Sequence, residues 1–318
     1  MNGKRWLITG AAGFIGSHIL EALMEAGQDV VGLDNLSSGF TRNIEAAVQK
    51  RTGNARFEFI EGDIRDPAVC ERACEGVDIV LHHAAFVSVP GSLADPALTH
   101  AVNVDGFVNV LQAAKNAGAR RFIYASSSAV YGDCAKLPSR EEDSVRAKFL
   151  SPYALSKAIN EMYAAAWSGI YASHIQCVGL RYFNVFGARQ DPNGPYAAVI
   201  PRWIDALKNG APVTIYGDGT SSRDFCYVKN VVSANMLAAN ASGDVSGQVF
   251  NIACGEKTTL NELFSTLKNR LGRQTSGCVH EPFRAGDIAH SFASIERARS
   301  CLNYKPIFSL ESGIQDME

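Results

Sequence analysis

Short apolar runs alternate along the chain with longer stretches in which apolar residues recur every three or four positions. Trp6-Leu7-Ile8-Thr9 reads as a buried strand that runs through Gly10-Ala11-Ala12-Gly13-Phe14-Ile15-Gly16 into a helical pattern from Ser17 to Ala26. Asp29-Val30-Val31-Gly32-Leu33-Asp34 follows as a second strand. The beat repeats through a strand from Arg56 to Ile60, a helix from Pro67, a strand from Asp78 to Leu81, an apolar-periodic helix from Leu98 to Ala117 and a strand from Arg121 to Ala125. This alternation predicts an α/β fold, a doubly wound parallel sheet with helices on both faces. A further strand from Gln176 to Leu180 closes the regular pattern, and Val213 to Gly219 with Ser222 to Phe225 reads as a strand, a tight turn and a second strand. We therefore expect a first domain over 1-180 and a smaller α/β lobe over 181-318, with the chain crossing back to the first domain.

Glycines between a strand and a helix let the backbone approach a pyrophosphate, and the helix N-terminus adds free N–H groups and the positive end of its dipole. A glycine triplet alone also fits a tight turn. Asp34, eighteen residues after Gly16, is placed to bond a ribose 2′-hydroxyl and to repel a 2′-phosphate, which favours NAD over NADP. Polar loops fall at the carboxyl ends of the strands, where open α/β sheets bind ligands: Gly62-Asp63-Ile64, His83-Ala84-Ala85 and Ser126-Ser127-Ser128. Asp63 is placed to meet an adenine and the serines a substrate. Asn103 is either a cofactor contact or a structural residue that kinks its helix.

Ser151-Pro152-Tyr153-Ala154-Leu155-Ser156-Lys157 sets a phenol and an ammonium four residues apart, on one face of a helix that Ser151 caps and Pro152 opens. A free tyrosine ionises near pH ~10, so it serves as a base at neutral pH only where a positive charge such as Lys157 favours the phenolate. The same spacing also occurs where the tyrosine is half-buried and the lysine solvated. The pair takes its meaning from the other motifs.

With 318 residues, 47% of them hydrophobic and 19% charged, the chain can bury a substantial core. A formal net charge of -2 with interspersed signs leaves no basic stripe for nucleic acid and no polybasic membrane anchor. Met1 to Arg5 leads straight into the first strand, too brief for a signal peptide, and no apolar run is long enough to span a bilayer, so a cytoplasmic location is expected. Eight scattered cysteines, with no Cys-x-x-Cys pair and no zinc spacing, predict neither a disulfide framework nor a metal.

Taken together, Thr9-Gly10-x-x-Gly13-x-x-Gly16, the serine triplet before Ala129-Val130-Tyr131-Gly132, and Tyr153-x-x-x-Lys157 resemble the extended short-chain dehydrogenase/reductase family, and within it the nucleotide-sugar 4-epimerases. The resemblance covers nearly the whole chain and implies a Rossmann-type NAD-binding domain with a C-terminal UDP-sugar lobe. By it, Tyr153 is the acid/base, Lys157 holds the nicotinamide ribose and favours the phenolate, and Ser127 bridges the sugar hydroxyl and Tyr153. NAD would lie against Gly10, Gly13, Phe14, Ile15 and Gly16, against Asp34, Asn35, Ser37 and Gly39, and against Asp63, Ile64, Ala84, Ala85, Asn103, Tyr153, Lys157 and Tyr182.

The UDP-sugar would meet Ser88, Ser127, Ser128 and Tyr153 on one side. On the other it would meet Asn184, the Ala198-Val199-Ile200 segment, Tyr216, Arg223, Arg284, Asp287 and Ser291. Two arginines on a diphosphate would be planar, bidentate donors. Exposed surface arginines, and core packing for Phe183 and its neighbour Tyr182, are the ordinary alternatives. Related 4,6-dehydratases carry Thr-Asp-Glu at the serine loop, whereas this chain has Ser127-Ser128-Ala129 and lacks the acid for dehydration.

In the family a tyrosine at the position of Ser291 goes with plain hexoses and a small residue with a 2-acetamido sugar. The Gly217 to Gly219 turn and the Ser88-Val89-Pro90 loop also resemble those of the N-acetylhexosamine epimerases. The implied activity is therefore NAD-dependent C4 epimerisation of UDP-N-acetylglucosamine and UDP-N-acetylgalactosamine through a 4-keto sugar, extending to UDP-glucose and UDP-galactose. The competing readings are a UDP-glucuronate epimerase or decarboxylase, which would need an extra basic sugar contact, and an NAD-binding sensor without catalysis. Relatives also pair the helices Leu98 to Ala117 and Tyr153 to Ile170 as a four-helix bundle in a homodimer. Leu310 to Glu318 opens a helix that relatives continue further.

Overall fold

The computed structural model describes residues 3–132, 136–146, 148–192, 197–283 and 288–317. In its first part, strands and helices follow one another as β1 (Arg5–Thr9), α1 (Phe14–Glu25), β2 (Asp29–Asp34), α2 (Thr41–Val48), β3 (Phe57–Glu61), α3 (Pro67–Cys74) and β4 (Ile79–His82). Two short helices, α4 (Val89–Ala94) and α5 (Pro96–His100), lead through a π-helical turn at Ala101–Asp105 into α6 (Gly106–Asn116). Then come β5 (Arg121–Ser127), α7 (Pro152–Ile170) and β6 (Gln176–Tyr182).

The second part holds β7 (Val185–Phe186), α8 (Val199–Lys208), β8 (Val213–Tyr216), β9 (Ser222–Arg223), β10 (Cys226–Tyr227), α9 (Val228–Asn240) and β11 (Gln248–Ile252). It ends with β12 (Thr258–Thr259), α10 (Leu260–Arg270), β13 (Cys278–Glu281), β14 (His290–Ser291), α11 (Glu296–Leu302) and α12 (Leu310–Gln315).

Seven strands form one parallel sheet in the order β11-β6-β5-β4-β1-β2-β3. Alternation along each strand divides its side chains between two cores. Trp6, Ile8 and Val30 pack on one face, and Leu7, Val31 and Leu33 on the other. Each such buried side chain contributes roughly 1.5–3 kcal/mol. A third core, including Trp203, Leu207, Ile215, Phe225 and Leu263, fills the second part. β11 comes from the second part and pairs with β6, so the chain returns to the first sheet. The 180/181 boundary falls inside β6.

The strands lie within two residues of their expected places, but the helices differ more. α1 begins at Phe14, three residues before the expected Ser17, because the turn itself supplies the first helical residues. The expected helix from Leu98 to Ala117 is interrupted by the π-helical turn around Asn103. α7 begins as its sequence predicts, with the Ser151 hydroxyl accepting from the Ala154 N–H at 3.1 Å and Pro152 in the first turn.

Candidate functional site

The carboxyl ends of β1, β4, β5 and β6 gather the predicted residues. After β1 the turn folds on itself: Gly10 has φ 74°, and a Cβ there would stand 2.8 Å from the Ala84 nitrogen. A Cβ at Gly16 would stand 2.0 Å from the Gly10 carbonyl oxygen, and one at Gly39 would stand 2.6 Å from the Ala12 Cβ. Only glycine fits these approaches. α1 starts at Gly13 without a side-chain cap, which leaves its first-turn N–H groups to a ligand.

Asp34 lies buried beneath this turn, its carboxylate accepting from the Ala12 and Leu36 N–H groups at 2.9 and 2.8 Å. Burial pushes its carboxyl above the usual range and those N–H groups oppose the shift. The acid predicted to meet a ribose thus also staples the turn to the end of β2. Nearby, Asn35 donates to Asp63 at 2.9 Å and accepts from the Ser37 N–H, while Arg65 grips Asp63 through both oxygens. The Arg65 hydrogen bond is the main reason the Asp63 carboxyl falls to about 2. Ile64 is buried against Gly106, and Phe14 and Ile15 pack partly against the cores, so these three supply apolar walls.

At the end of β4, Thr9 Oγ1 accepts from the His83 and Ala84 N–H groups and lies 2.8 Å from His82 Nδ1. This side chain, which the sequence motif names without a role, shapes the loop of Ala84 and Ala85. Asn103 resolves toward its structural alternative. Its amide exchanges two hydrogen bonds with the Phe86 backbone, at 2.7 and 3.0 Å, and donates to Ser156 at 3.1 Å, so it braces the loop. Ser88 caps α4 by accepting from the Gly91 N–H at 2.9 Å.

α7 brings the third motif alongside. The Lys157 side chain is buried, and its ammonium donates to the Ala125 carbonyl at 2.9 Å. Burial lowers its pKa to about 8, while the Glu161 carboxylate one turn on pushes it back up. Burial raises the Tyr153 phenol, and a side-chain hydrogen bond with Ser127 pulls it down. The phenol therefore stands above its ordinary value, not below it as a lysine-supported phenolate would. The Lys157 ammonium, one turn along α7, is held on the strand end.

The three serines separate. Ser126 is buried and donates to Glu161, Ser127 meets Tyr153, and Ser128 opens the following 3-10 turn. Tyr182 is buried, its hydroxyl accepting from Asn235 at 2.9 Å and lying 3.3 Å from His83 Nε2, which fits a wall residue.

The second cluster lies on the lobe. β9 pairs with β14 so that Arg223 is in register with Ser291. The Arg223 guanidinium donates to the Ser222 and Ala289 carbonyls at 2.9 and 3.1 Å, and Ser291 is half-buried. Asp224, missed by sequence reasoning, is fully buried and accepts from the Cys254, Gly255 and Ala293 N–H groups. Asn184 is half-buried with φ 25°, a conformation asparagine tolerates better than most residues. Ala198 and Val199 sit half-buried at the start of α8, and Tyr216 is half-buried at the end of β8. Ile200, the third residue of that segment, has its side chain buried in the lobe core. Arg284 and Asp287 lie outside the described residues.

Among the described residues the seven cysteines are free thiols and no cluster of His, Cys, Asp or Glu could hold a metal ion. No helix among them is long and apolar enough to cross a membrane.

A glycine cradle that only backbone can line, a helix N-terminus free of side-chain caps and an acid at the end of β2 fit a dinucleotide. Residues 6–253 match the NAD dependent epimerase/dehydratase family, and the chain belongs to it. The family's cofactor is NAD. The chain is 38% identical to a putative UDP-glucose 4-epimerase of Methanocaldococcus jannaschii, over 97% of this chain and 95% of that one. It is 36% identical to a UDP-glucose 4-epimerase of Mycolicibacterium smegmatis, over 98% and 96%. A solved structure of UDP-N-acetylglucosamine 4-epimerase from Methanobrevibacter ruminantium M1, in complex with UDP-N-acetylmuramic acid, superposes with a TM-score of 0.90. It shares 39% identity, with 100% of this chain and 97% of that chain covered.

Proposed function

We propose that this protein is an NAD-dependent UDP-sugar 4-epimerase that prefers UDP-N-acetylglucosamine and UDP-N-acetylgalactosamine and also accepts UDP-glucose and UDP-galactose. The observation that carries the reading is the Lys157 ammonium on the Ala125 carbonyl at 2.9 Å, which docks the first turns of α7, with Tyr153, onto the end of β5 that carries Ser127.

In this reading Tyr153 takes the proton of the sugar's 4-hydroxyl at its phenolic oxygen and later returns one, and the Ser127 hydroxyl bridges the two oxygens. Lys157 keeps a positive charge near the phenol as it ionises, which lowers the cost of the phenolate. NAD, when bound, supplies the acceptor and donor of a hydride at C4. Tyr182 and the Ala84-Ala85 loop wall the site, and Gly10, Gly13 and Gly16 admit the pyrophosphate. Residues 181–318 act mainly as the UDP-sugar lobe, where Asn184 and Arg223, with Arg284 and Asp287 from the family pattern, hold the nucleotide. Binding energy placed on the non-reacting diphosphate leaves the sugar free to turn over without escaping.

The preference for the acetamido sugars rests on Ser291, a small residue in register with Arg223, so the sugar gate and the diphosphate contact share one strand pair. The deciding assay incubates purified protein separately with UDP-N-acetylglucosamine and UDP-glucose and quantifies the C4 epimers by proton NMR. We expect both to convert, the acetamido sugar faster, and Tyr153→Phe to lose about 10²–10⁴-fold in kcat while retaining NAD. Conversion of UDP-glucose alone would discard the Ser291 gate, and near-normal turnover by Tyr153→Phe would remove that residue from the chemistry.

A further inference from the structure

Directly behind the Ser127 loop lies a buried ion pair that none of the roles above uses. Arg181, 2% exposed, donates from Nε and Nη2 to the two oxygens of Glu161 at 2.8 and 2.7 Å. Its remaining donors reach the Tyr131 hydroxyl at 2.9 Å, the Glu141 carbonyl at 3.0 Å and the Ser144 hydroxyl at 2.9 Å. The Tyr131 hydroxyl in turn donates to Asn251 Oδ1 at 2.5 Å. The pair thereby ties together β6, the turn after β5, the 141–144 segment and β11. On the side facing the catalytic loop, Glu161 Oε1 also accepts from the Ser126 hydroxyl at 2.5 Å.

A buried ion pair is by itself weak grounds for stability, because desolvation offsets the attraction. Its position is more telling. Ser126 immediately precedes Ser127, and Glu161 is one helical turn beyond Lys157 on the same face of α7. Lys157 in turn donates to the carbonyl of Ala125, immediately before Ser126. Two anchors from α7 therefore grip consecutive residues of the β5 end.

We propose that Glu161 is a positioning residue that, through Ser126 and alongside Lys157, holds the end of β5 and its Ser127 hydroxyl in place and sets a carboxylate one turn from the Lys157 ammonium. This rests on the reading of Ser127, Tyr153 and Lys157 as the reacting groups. The groups that face Lys157 are His82 and His83 from the end of β4, Tyr153 on its own helix, and Glu161. Both histidines are held neutral by burial, so Glu161, itself paired with the Arg181 guanidinium, is the carboxylate that favours the Lys157 ammonium.

The test compares Ser126→Ala with Ser144→Ala in the NAD-bound protein. Each removes one hydroxyl from the same network, and a purely structural role makes them equivalent. We expect similar drops in melting temperature, but a kcat about tenfold lower with unchanged KM in Ser126→Ala alone, the signature of lost transition-state positioning. Glu161→Gln, where it folds, moves the alkaline limb of the kcat profile and the Lys157 titration, followed by NMR of its side chain, to lower pH. Equal kcat in the two serine variants, or a Lys157 titration unmoved in Glu161→Gln, overturns the proposal. Wild-type protein and Tyr153→Phe run alongside: inactive wild type sinks the epimerase reading and leaves the Lys157 titration to decide the positioning role. Active wild type, dead Tyr153→Phe and unimpaired Ser126→Ala sink the positioning role alone.

Discussion

Lys157 is asked to do two things that pull against each other. Burial favours its neutral form, whereas support of a tyrosinate demands the ammonium, and the balance leaves its pKa at about 8, more than two units below that of a free lysine. The sign of the consequence differs for activity and stability. Between pH 8 and 10.5 the folded chain binds fewer protons at this site than the unfolded chain, so Lys157 adds to stability as pH rises through that window, by up to roughly 3 kcal/mol. Activity runs the other way, because turnover needs the ammonium. We expect kcat/KM to fall as pH climbs past about 8 while thermal melts show no matching loss of fold. A pH–rate profile that stays flat until near pH ~10 would assign the limb to an unperturbed lysine or tyrosine.

At the scale of elements, the strand–turn–helix unit of β1 and α1 is the most demanding stretch of backbone. A Cβ at Gly16 would meet the Gly10 carbonyl at 2.0 Å, and no side chain can swing away to relieve it. At Gly13 the corresponding distance is 3.2 Å, which a small shift accommodates. Gly16→Ala should therefore open the turn, costing on the order of 2–4 kcal/mol, and abolish NAD binding. Gly13→Ala should keep most of the stability yet bind NAD more weakly, because in the proposed site a methyl there would intrude on the pyrophosphate. Melting curves and the NAD content of purified protein distinguish the two, and equal behaviour would refute this division of roles.

Signals of this kind are legible in the sequence: the glycine spacing and the Ser151-Pro152 start of α7 act within a few residues, and Asp34 stands at a fixed distance of eighteen residues within one strand–helix–strand unit. What could not be read depends on partners far apart in sequence. Asn103 spends its amide on Phe86 and Ser156, fifty-three residues away, and Arg181 reaches back to Tyr131 and Glu141. The one available hint was Glu161 at four residues past Lys157, a spacing that puts both on one helix face. The core position of the Ile200 side chain likewise depends on distant partners such as Leu263 and Leu267, not on its neighbours in sequence.

At the scale of the whole molecule, an apolar surface is left on α7 and α4. On α7, Leu155, Met162 and Ile170 are 45%, 70% and 68% exposed, and they recur at helical spacing with Tyr163 beside them. Leu93 and Val89 extend the patch from α4, which packs against α7. We propose that a second copy covers this face, with α7 and the 96–116 helical segment of each copy forming a four-helix bundle about a two-fold axis. The patch is continuous with the helix that carries Tyr153, so pairing would also stiffen the base of the site. In a two-fold interface each substitution is met twice, and burying a carboxylate among apolar groups is costly. Met162→Glu should therefore weaken association about a hundredfold or more, while the monomer core, which Met162 does not enter, stays folded. Sedimentation velocity at micromolar concentration should give a dimer for the wild type and a monomer for Met162→Glu. A wild-type monomer, or a variant that sediments as the wild type does, would mean that this face does not pair.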